Sequence, residues 1–203
     1  LKICDSSIVK PLLIIFRNSL NKGVFPSLWE KGNITPIYKK GDKKNINNYR
    51  PILVLPLFGK LFEILIYNAL YKYLEDNRIL DANKSGFRTG DSCINQLLSI
   101  THNIFQSFNA NQSLEVRGVF SDISTAFDIV WHEGVLFKLR SIGTEGKFLE
   151  IFKSFLYDCY QRVVLNSQSS SWRKINAGEL QGSILGPLLF LIYVNDIPQA
   201  IKK

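Results

Sequence analysis

No stretch of this sequence is apolar for long enough to cross a bilayer. Residues 184–194 come closest, at about half of the ~20 residues required, and Gly186-Pro187 interrupts them. The N-terminal segment carries Asp5 and Lys10 among its apolar residues, which fits a secretory leader poorly. Methionine is absent and the chain starts at Leu1, so it is expected to be a piece of a longer product. Cysteine is scarce: Cys4, Cys93 and Cys159 stand far apart without metal-ligand spacing. An odd number of thiols with no leader points to reduced cysteines in an intracellular protein. There is no internal repeat and no low-complexity tract, since the serines at 167–171 make only a short turn-like run.

What is present is ordinary in bulk and uneven in layout. The chain has 203 residues, 46% apolar and 21% charged, enough for a substantial core in one or two domains. Its formal charge is +8, and the excess sits entirely in residues 1–60, with 11 Lys+Arg against 3 Asp+Glu. Residues 61–203 hold 14 of each sign. A basic first third attracts a polyanion such as nucleic acid, or is simply a solvated face; charge alone does not choose.

The apolar pattern predicts mostly helices. Residues 12–20 read as a helix stopped by Gly23. Residues 33–38 alternate as a short strand, followed by an exposed lysine-rich loop over 39–48. After Pro56, the pairs Leu57/Phe58, Leu61/Phe62, Leu65/Ile66, Ala69/Leu70 and Tyr73/Leu74 recur every four residues and predict a long core helix. Further helices are expected over 93–108 and 147–156, and an apolar helix or buried segment over 184–194, ended by Asp196-Ile197-Pro198. Residues 114–121 have strand composition and deliver Asp122 at their end, while 162–166 and 171–175 suit a hairpin. Helices with a few strands where the motifs fall indicate an α+β fold.

Four segments carry chemically suggestive residues. In Phe120-Ser121-Asp122-Ile123-Ser124-Thr125-Ala126-Phe127-Asp128, a carboxylate at a strand end can hold Mg²⁺, and an aromatic five residues on can lie beside a sugar. Asp122 and Asp128 serve equally well as a helix N-cap and a surface acid. Gly178-Glu179-Leu180-Gln181-Gly182-Ser183-Ile184-Leu185-Gly186-Pro187 makes a tight turn whose backbone can approach a ligand, or an ordinary loop capped by Ser183. Ile34-Thr35-Pro36-Ile37-Tyr38-Lys39-Lys40-Gly41-Asp42 followed by Asn48-Tyr49-Arg50-Pro51-Ile52 can grip a triphosphate, although a solvated lysine loop is commoner. Ser85-Gly86-Phe87-Arg88-Thr89-Gly90 suits backbone phosphates and base stacking.

The order of these segments says more than any one of them. Lysine loop, Tyr-Arg-Pro, Gly-Phe-Arg, Asp-x5-Asp and Gln-Gly-Ser-x-Leu-Gly-Pro, together with Gly23-Val24-Phe25-Pro26 and residues 189–196, resemble the reverse transcriptases of non-LTR (LINE-type) retrotransposons of the jockey and CR1 kind. Group II intron maturases and telomerase share that polymerase fold but not this wording. The resemblance implies a right-hand polymerase in α+β form, with fingers over about 1–112 and a partial palm over about 113–203, around a small antiparallel sheet. It implies an RNA-directed DNA polymerase taking an RNA template, a DNA primer and deoxynucleoside triphosphates, with no membrane partner, at work in nucleus and cytoplasm. Asp122 then matches the first catalytic aspartate, a ligand of two Mg²⁺ ions with the Ile123 carbonyl as an extra ligand. Phe127 matches the gate against a ribose 2′-hydroxyl, and Gln181 and Gly182 the loop lining the nucleotide and template base. Lys39, Lys40 and Arg50 match triphosphate-side residues, and Arg88 lies in a segment associated with the template. Asp128 reads as a structural partner, and His102 and His132 have no assigned role.

Departures from that pattern are specific. Ser121, Thr125, Lys84 and Glu179-Leu180 stand where the family usually has an apolar residue, lysine, glutamine and Val-Pro. Glu179 at a normally apolar position risks an unpaired buried carboxylate. No aromatic-Ala-Asp-Asp motif occurs in the sequence, so the chain alone is expected not to polymerise DNA and to expose an apolar patch where that hairpin would pack. The alternative is an inactive remnant that at most binds nucleic acid non-specifically.

Overall fold

The computed structural model describes residues 6–109, 115–123, 125–178 and 182–201. Helix α1 (Val9–Lys22) stops at Gly23, whose φ of 70° lets its N–H reach back to the Ser19 and Leu20 carbonyls. Strands β1 (Lys31–Tyr38) and β2 (Tyr49–Val54) pair antiparallel, with Thr35 opposite Ile52 and Ile37 opposite Arg50. Helix α2 (Leu57–Asp76) begins after Pro56 and buries Phe62, Ile66, Leu70 and Leu74, the four-residue stripe that the sequence predicts. Then come α3 (Cys93–Asn109), α4 (His132–Ser141), α5 (Gly146–Tyr157), β3 (Tyr160–Leu165), β4 (Gln168–Ser169), β5 (Arg173–Lys174), α6 (Leu185–Tyr193) and α7 (Ile197–Ile201). Asp196-Ile197-Pro198 does close α6, but Pro198 sits in the first turn of α7, where a missing N–H costs nothing.

The sheet runs β2-β1-β3-β4, with β5 also paired to β3. It is mixed rather than antiparallel, because β1 and β3 run parallel, Lys31 beside Tyr160 and Asn33 beside Arg162. Between these two strands the chain passes through β2 and four helices, and a crossover of that length can return a strand in the same direction.

One core joins the layers. Phe16, Phe25, Trp29 and Phe62 meet edge-on, tilted or stacked, and Phe25 continues to Phe155 on α5 at 5.2 Å between centroids. Leu136 and Leu139 on α4, Ile151 and Phe152 on α5, and Leu185, Leu188 and Leu189 on α6 complete it. Glu30 is buried where this core meets the sheet. Its carboxylate accepts from the Ser154 hydroxyl at 3.0 Å, and its carbonyl accepts the Tyr160 N–H at 2.9 Å. Burial pushes its pKa up to about 7, the Ser154 hydrogen bond offsets part of this, and Asp158 raises it further.

One expected element is not formed. Residues 115–121 carry no strand, and Val119 and Phe120 are each 90% exposed. Strand composition alone does not hold a backbone extended; a neighbour must pair its N–H and C=O groups. Among the described residues, no strand lies beside this segment. Helix α3 forms as predicted but buries none of its residues, leaving Ile94, Leu97, Leu98, Phe105 and Phe108 exposed.

Candidate active site

The aspartate segment and the glycine-rich loop meet through backbone contacts that demand glycine. Gly178 has φ of 83°, and a Cβ there would lie 2.6 Å from the carbonyl oxygen of Asp128. Its N–H donates to the Val130 carbonyl at 2.9 Å, and its own carbonyl accepts from His132 Nε2 at 2.8 Å. Four residues on, Gly182 has φ of 114°, and a Cβ would sit 2.7 Å from the Leu53 carbonyl oxygen of β2. The loop is therefore seated on the aspartate segment at one end and on the Arg50 strand at the other. Gln181, between them, lies outside the described residues, as do Ser124 and Glu179-Leu180.

The far end of this loop is fixed by a buried carboxylate. Glu63 Oε2 accepts from Ser183 Oγ at 2.6 Å and from the Ile184 and Leu185 N–H groups at 2.7 and 3.1 Å. Ser183 Oγ in turn accepts from the Leu185 and Gly186 N–H groups, which makes Ser183 the cap of α6. These bonds satisfy N–H groups that the first turn of α6 cannot satisfy itself. Burial raises the Glu63 pKa, while the Ser183 and backbone hydrogen bonds and Lys60 act against it.

Phe127 is half-buried between two other aromatics. Its ring centroid is 4.7 Å from Phe190 on α6 and 5.9 Å, edge-on, from Phe87. The Ser85–Gly90 turn is thereby joined to the aspartate segment. Thr125, just before it, has φ of 51°, an unfavourable conformation for a β-branched residue, and its carbonyl accepts the Asp128 N–H at 2.8 Å. Asp122 and Ile123 are exposed.

The remaining predicted positions divide. Lys39, Lys40 and Arg50 are exposed around a loop that is ordered rather than loose. Tyr38 Oη donates to Gly41 O, Tyr49 Oη to Lys43 O, and the Lys39 N–H to Asn48 O. Arg88 is turned to a carboxylate: one guanidinium nitrogen donates to both Glu75 oxygens at 3.1 and 3.2 Å, and the other to Asp81 O. That pair ties the Gly-Phe-Arg turn to the end of α2. A groove of about 480 Å³ beside it is lined by Phe87, Arg88, Cys93 and Leu97 among others.

A divalent ion is the cofactor this arrangement brings to mind, and the described residues do not by themselves make its site. Among them, no three of His, Cys, Asp and Glu converge. Asp122 offers one hard oxygen ligand, whereas two ions need several. No chemical step is routed through a metal here.

Two positioning residues escape the sequence reading. Glu63 is a lone acid inside the apolar run of α2, and that misplacement was the signal that could have revealed it. His132 is buried, with Nε2 on Gly178 and Nδ1 without a partner among the described residues. Nothing in its local sequence distinguishes it from a packing histidine.

Residues 37–203 match the family model described as reverse transcriptase (RNA-dependent DNA polymerase). The chain is 35% identical over 188 residues to the probable RNA-directed DNA polymerase from transposon BS of Drosophila melanogaster, covering 92% of this chain and 20% of that protein. It is 34% identical to the RNA-directed DNA polymerase from mobile element jockey of the same organism, with the same coverage of 92% and 20%. A third relative, the probable RNA-directed DNA polymerase from transposon X-element, is 31% identical over 98% of this chain and 22% of its own length. The chain thus spans about a fifth of the length of these relatives.

Proposed function

Since the chain belongs to the reverse transcriptase family, in its non-LTR retrotransposon branch, we propose that it forms the nucleotide-binding part of an RNA-directed DNA polymerase. The observation that carries this reading is the close approach of Gly178 to the Asp128 backbone and of Gly182 to the Leu53 carbonyl of β2. Those contacts support a shared frame for Gly182, Phe127 and Arg50, which this reading assigns to base, sugar and triphosphate. Arg50, with Lys39 and Lys40, grips the triphosphate; its fork of donors suits phosphate oxygens. Gln181 and Gly182 line the base, and Phe127, wedged against Phe190, blocks a 2′-hydroxyl with a ring that has little room to retreat. Asp122 supplies one carboxylate to a divalent ion, Mg²⁺ by its preference for oxygen ligands, and the Ile123 carbonyl lies next to it. The template is RNA, the growing strand DNA, and fingers and palm divide near residue 112.

The test is RNA-templated primer extension by the element's full-length polymerase. Asp122→Ala is expected to lower extension by about 10³-fold or more, the scale of losing a charge-stabilising group. Phe127→Ala is expected to admit ribonucleotides while keeping DNA synthesis. Undiminished extension by Asp122→Ala would end this reading.

A further inference from the structure

The turn over 85–90 bends at an unexpected residue. Phe87 has φ of 61°, a left-handed backbone that a bulky side chain adopts only at a cost. A glycine stands directly before it, where that conformation would be free and a Cβ would meet nothing within 4 Å, yet Gly86 is not the left-handed residue. Burial does not compensate, since Phe87 is 52% exposed. A backbone outlier kept on an exposed aromatic points to a task for its ring.

The turn is gripped on both sides of that residue. Ser85 Oγ donates to Gln96 Oε1 of α3 at 2.7 Å. Arg88 donates to both Glu75 oxygens and to the Asp81 carbonyl, and the Thr89 N–H donates to Tyr71 Oη at 2.8 Å. Tyr71 stacks in turn on Tyr67 of α2, with centroids 5.5 Å apart and planes 5° from parallel. What the Phe87 ring meets is Phe127. The two stand edge to face, 84° between planes and 5.9 Å between centroids, while Phe127 tilts on Phe190 at 4.7 Å. The residues beside Phe127 in sequence add little: Thr125 is left-handed at φ 51°, and Asp128 and Ile129 are exposed. Among the described residues, the rings that pair with Phe127 come from α6 and from the 85–90 turn.

We propose that Phe87 is a specificity-determining residue that acts through Phe127: it pins that ring, so that discrimination against a ribose 2′-hydroxyl belongs to the row Phe87, Phe127 and Phe190. The inference rests on the polymerase reading, which sets Phe127 beside the sugar. A ring excludes a hydroxyl only as far as it cannot yield, and an edge-to-face partner opposes the tilt by which it would yield. Phe190 resists from the core-packed helix α6, and Phe87 from a turn tied to α2 and α3. Arg88 then serves selection as well, because its bonds to Glu75 and Asp81 keep the turn closed on Phe127.

The test is RNA-templated extension by the element's full-length polymerase, scored as kcat/KM for a deoxynucleotide over that for the matching ribonucleotide. Phe87→Ala is expected to lower this ratio about three- to ten-fold, the worth of one such ring pair, chiefly through faster ribonucleotide entry. Phe87→Tyr, whose hydroxyl can point to solvent, is expected to keep the native ratio, and Phe87→Leu to fall between the two. In a Phe127→Ala background, Phe87→Ala is expected to change the ratio no further, because both act through one ring. A folding defect alone would slow both nucleotides together and leave their ratio intact. A native ratio in Phe87→Ala overturns the inference, as do losses that add in the double variant. Should Phe87→Ala not fold, equal ratios in Phe87→Leu and Phe87→Tyr overturn it, and a lower ratio in Phe87→Leu supports it. The two readings fail distinguishably. If Asp122→Ala abolishes extension and Phe127→Ala admits ribonucleotides but Phe87→Ala does not, only this inference falls; if extension survives Asp122→Ala, the polymerase reading falls and takes it along.

Discussion

The two halves of the candidate site are held by different means. The 183–186 turn is fixed by buried, directional bonds, Glu63 from α2 and the Ser183 cap, and Gly182 just before it lies close against the Leu53 carbonyl of β2. The stretch that delivers Asp122 has none of this, and its Val119 and Phe120 stand almost fully in solvent. The 182–186 side is built from helices and one hairpin of this chain, and its contacts with Glu63 and Leu53 hold it although they join residues about 120 positions apart. The aspartate side needs a paired strand, and pairing is a property of two segments. Among the described residues, the aspartate segment leans on the frame from Thr125 onward, where Phe127 meets Phe190 and Gly178 meets Asp128.

The largest effect on this contrast should come from Glu63. Glu63→Ala leaves the Ser183 hydroxyl and the Ile184 N–H without their acceptor, while the Leu185 N–H keeps its bond to Ser183 Oγ, and is expected to cost about 3 kcal/mol in urea unfolding. Glu63→Gln keeps an acceptor and should cost roughly a third of that. A loss of under about 0.5 kcal/mol for Ala would show that the loop is not held from α2. Buried carboxyls also set a pH dependence. Glu30 and Glu63 both have folded pKa values above the unfolded value of 4.5, Glu30 at about 7. The folded state then binds protons more tightly than the unfolded one, so this stabilisation is complete below pH 4.5 and is lost as pH rises through the folded values. For Glu30 the loss is up to about 3 kcal/mol by pH 8, and Glu30→Gln should flatten the curve between pH 5 and 8. A wild-type stability that rises across that interval would contradict the burial of these groups.

Gly178 probes the seam between the two halves. Gly178→Ala meets the Asp128 carbonyl at 2.6 Å as well as a left-handed backbone. Gly90 has nearly the same φ, 82°, with nothing within 4 Å of a Cβ. Gly90→Ala should therefore cost about 1 kcal/mol, from conformation alone, and Gly178→Ala about 2–3 kcal/mol. Equal losses would mean that the seam opens without cost.

The helices were legible because their signal is periodic and local. The stripe of α2 and the Gly23 stop were read from spacing, and both stand. The ordered series of motifs was legible for the same reason, as fixed words at fixed distances. What sequence withheld was relational. The parallel pairing of β1 with β3 joins residues more than a hundred positions apart, and the strand expected before Asp122 depends on a neighbour its composition cannot supply. His132 looked like any packed histidine until Gly178 was placed against it. The basic character of β3 and β5 was hidden because Arg162, Arg173 and Lys174 fall in residues 61–203, whose charges sum to zero.

The smallest expected effect is also the sharpest test of the contrast. Phe120→Ser removes a large aromatic, a change that costs about 3–5 kcal/mol in a core. Here the ring is 90% exposed, so the unfolding free energy of this chain should move by less than about 0.5 kcal/mol. Solubility should improve, because an exposed apolar patch formed with Val119 is broken up. In a polymerase where residues 115–121 pair into a sheet, the same substitution would empty a packed position, and the cost should return to the core value. Measuring Phe120→Ser in both contexts therefore gauges how much of the aspartate side is assembled by pairing. A large loss in this chain alone would mean that the segment already packs, and that the two halves of the site are held alike.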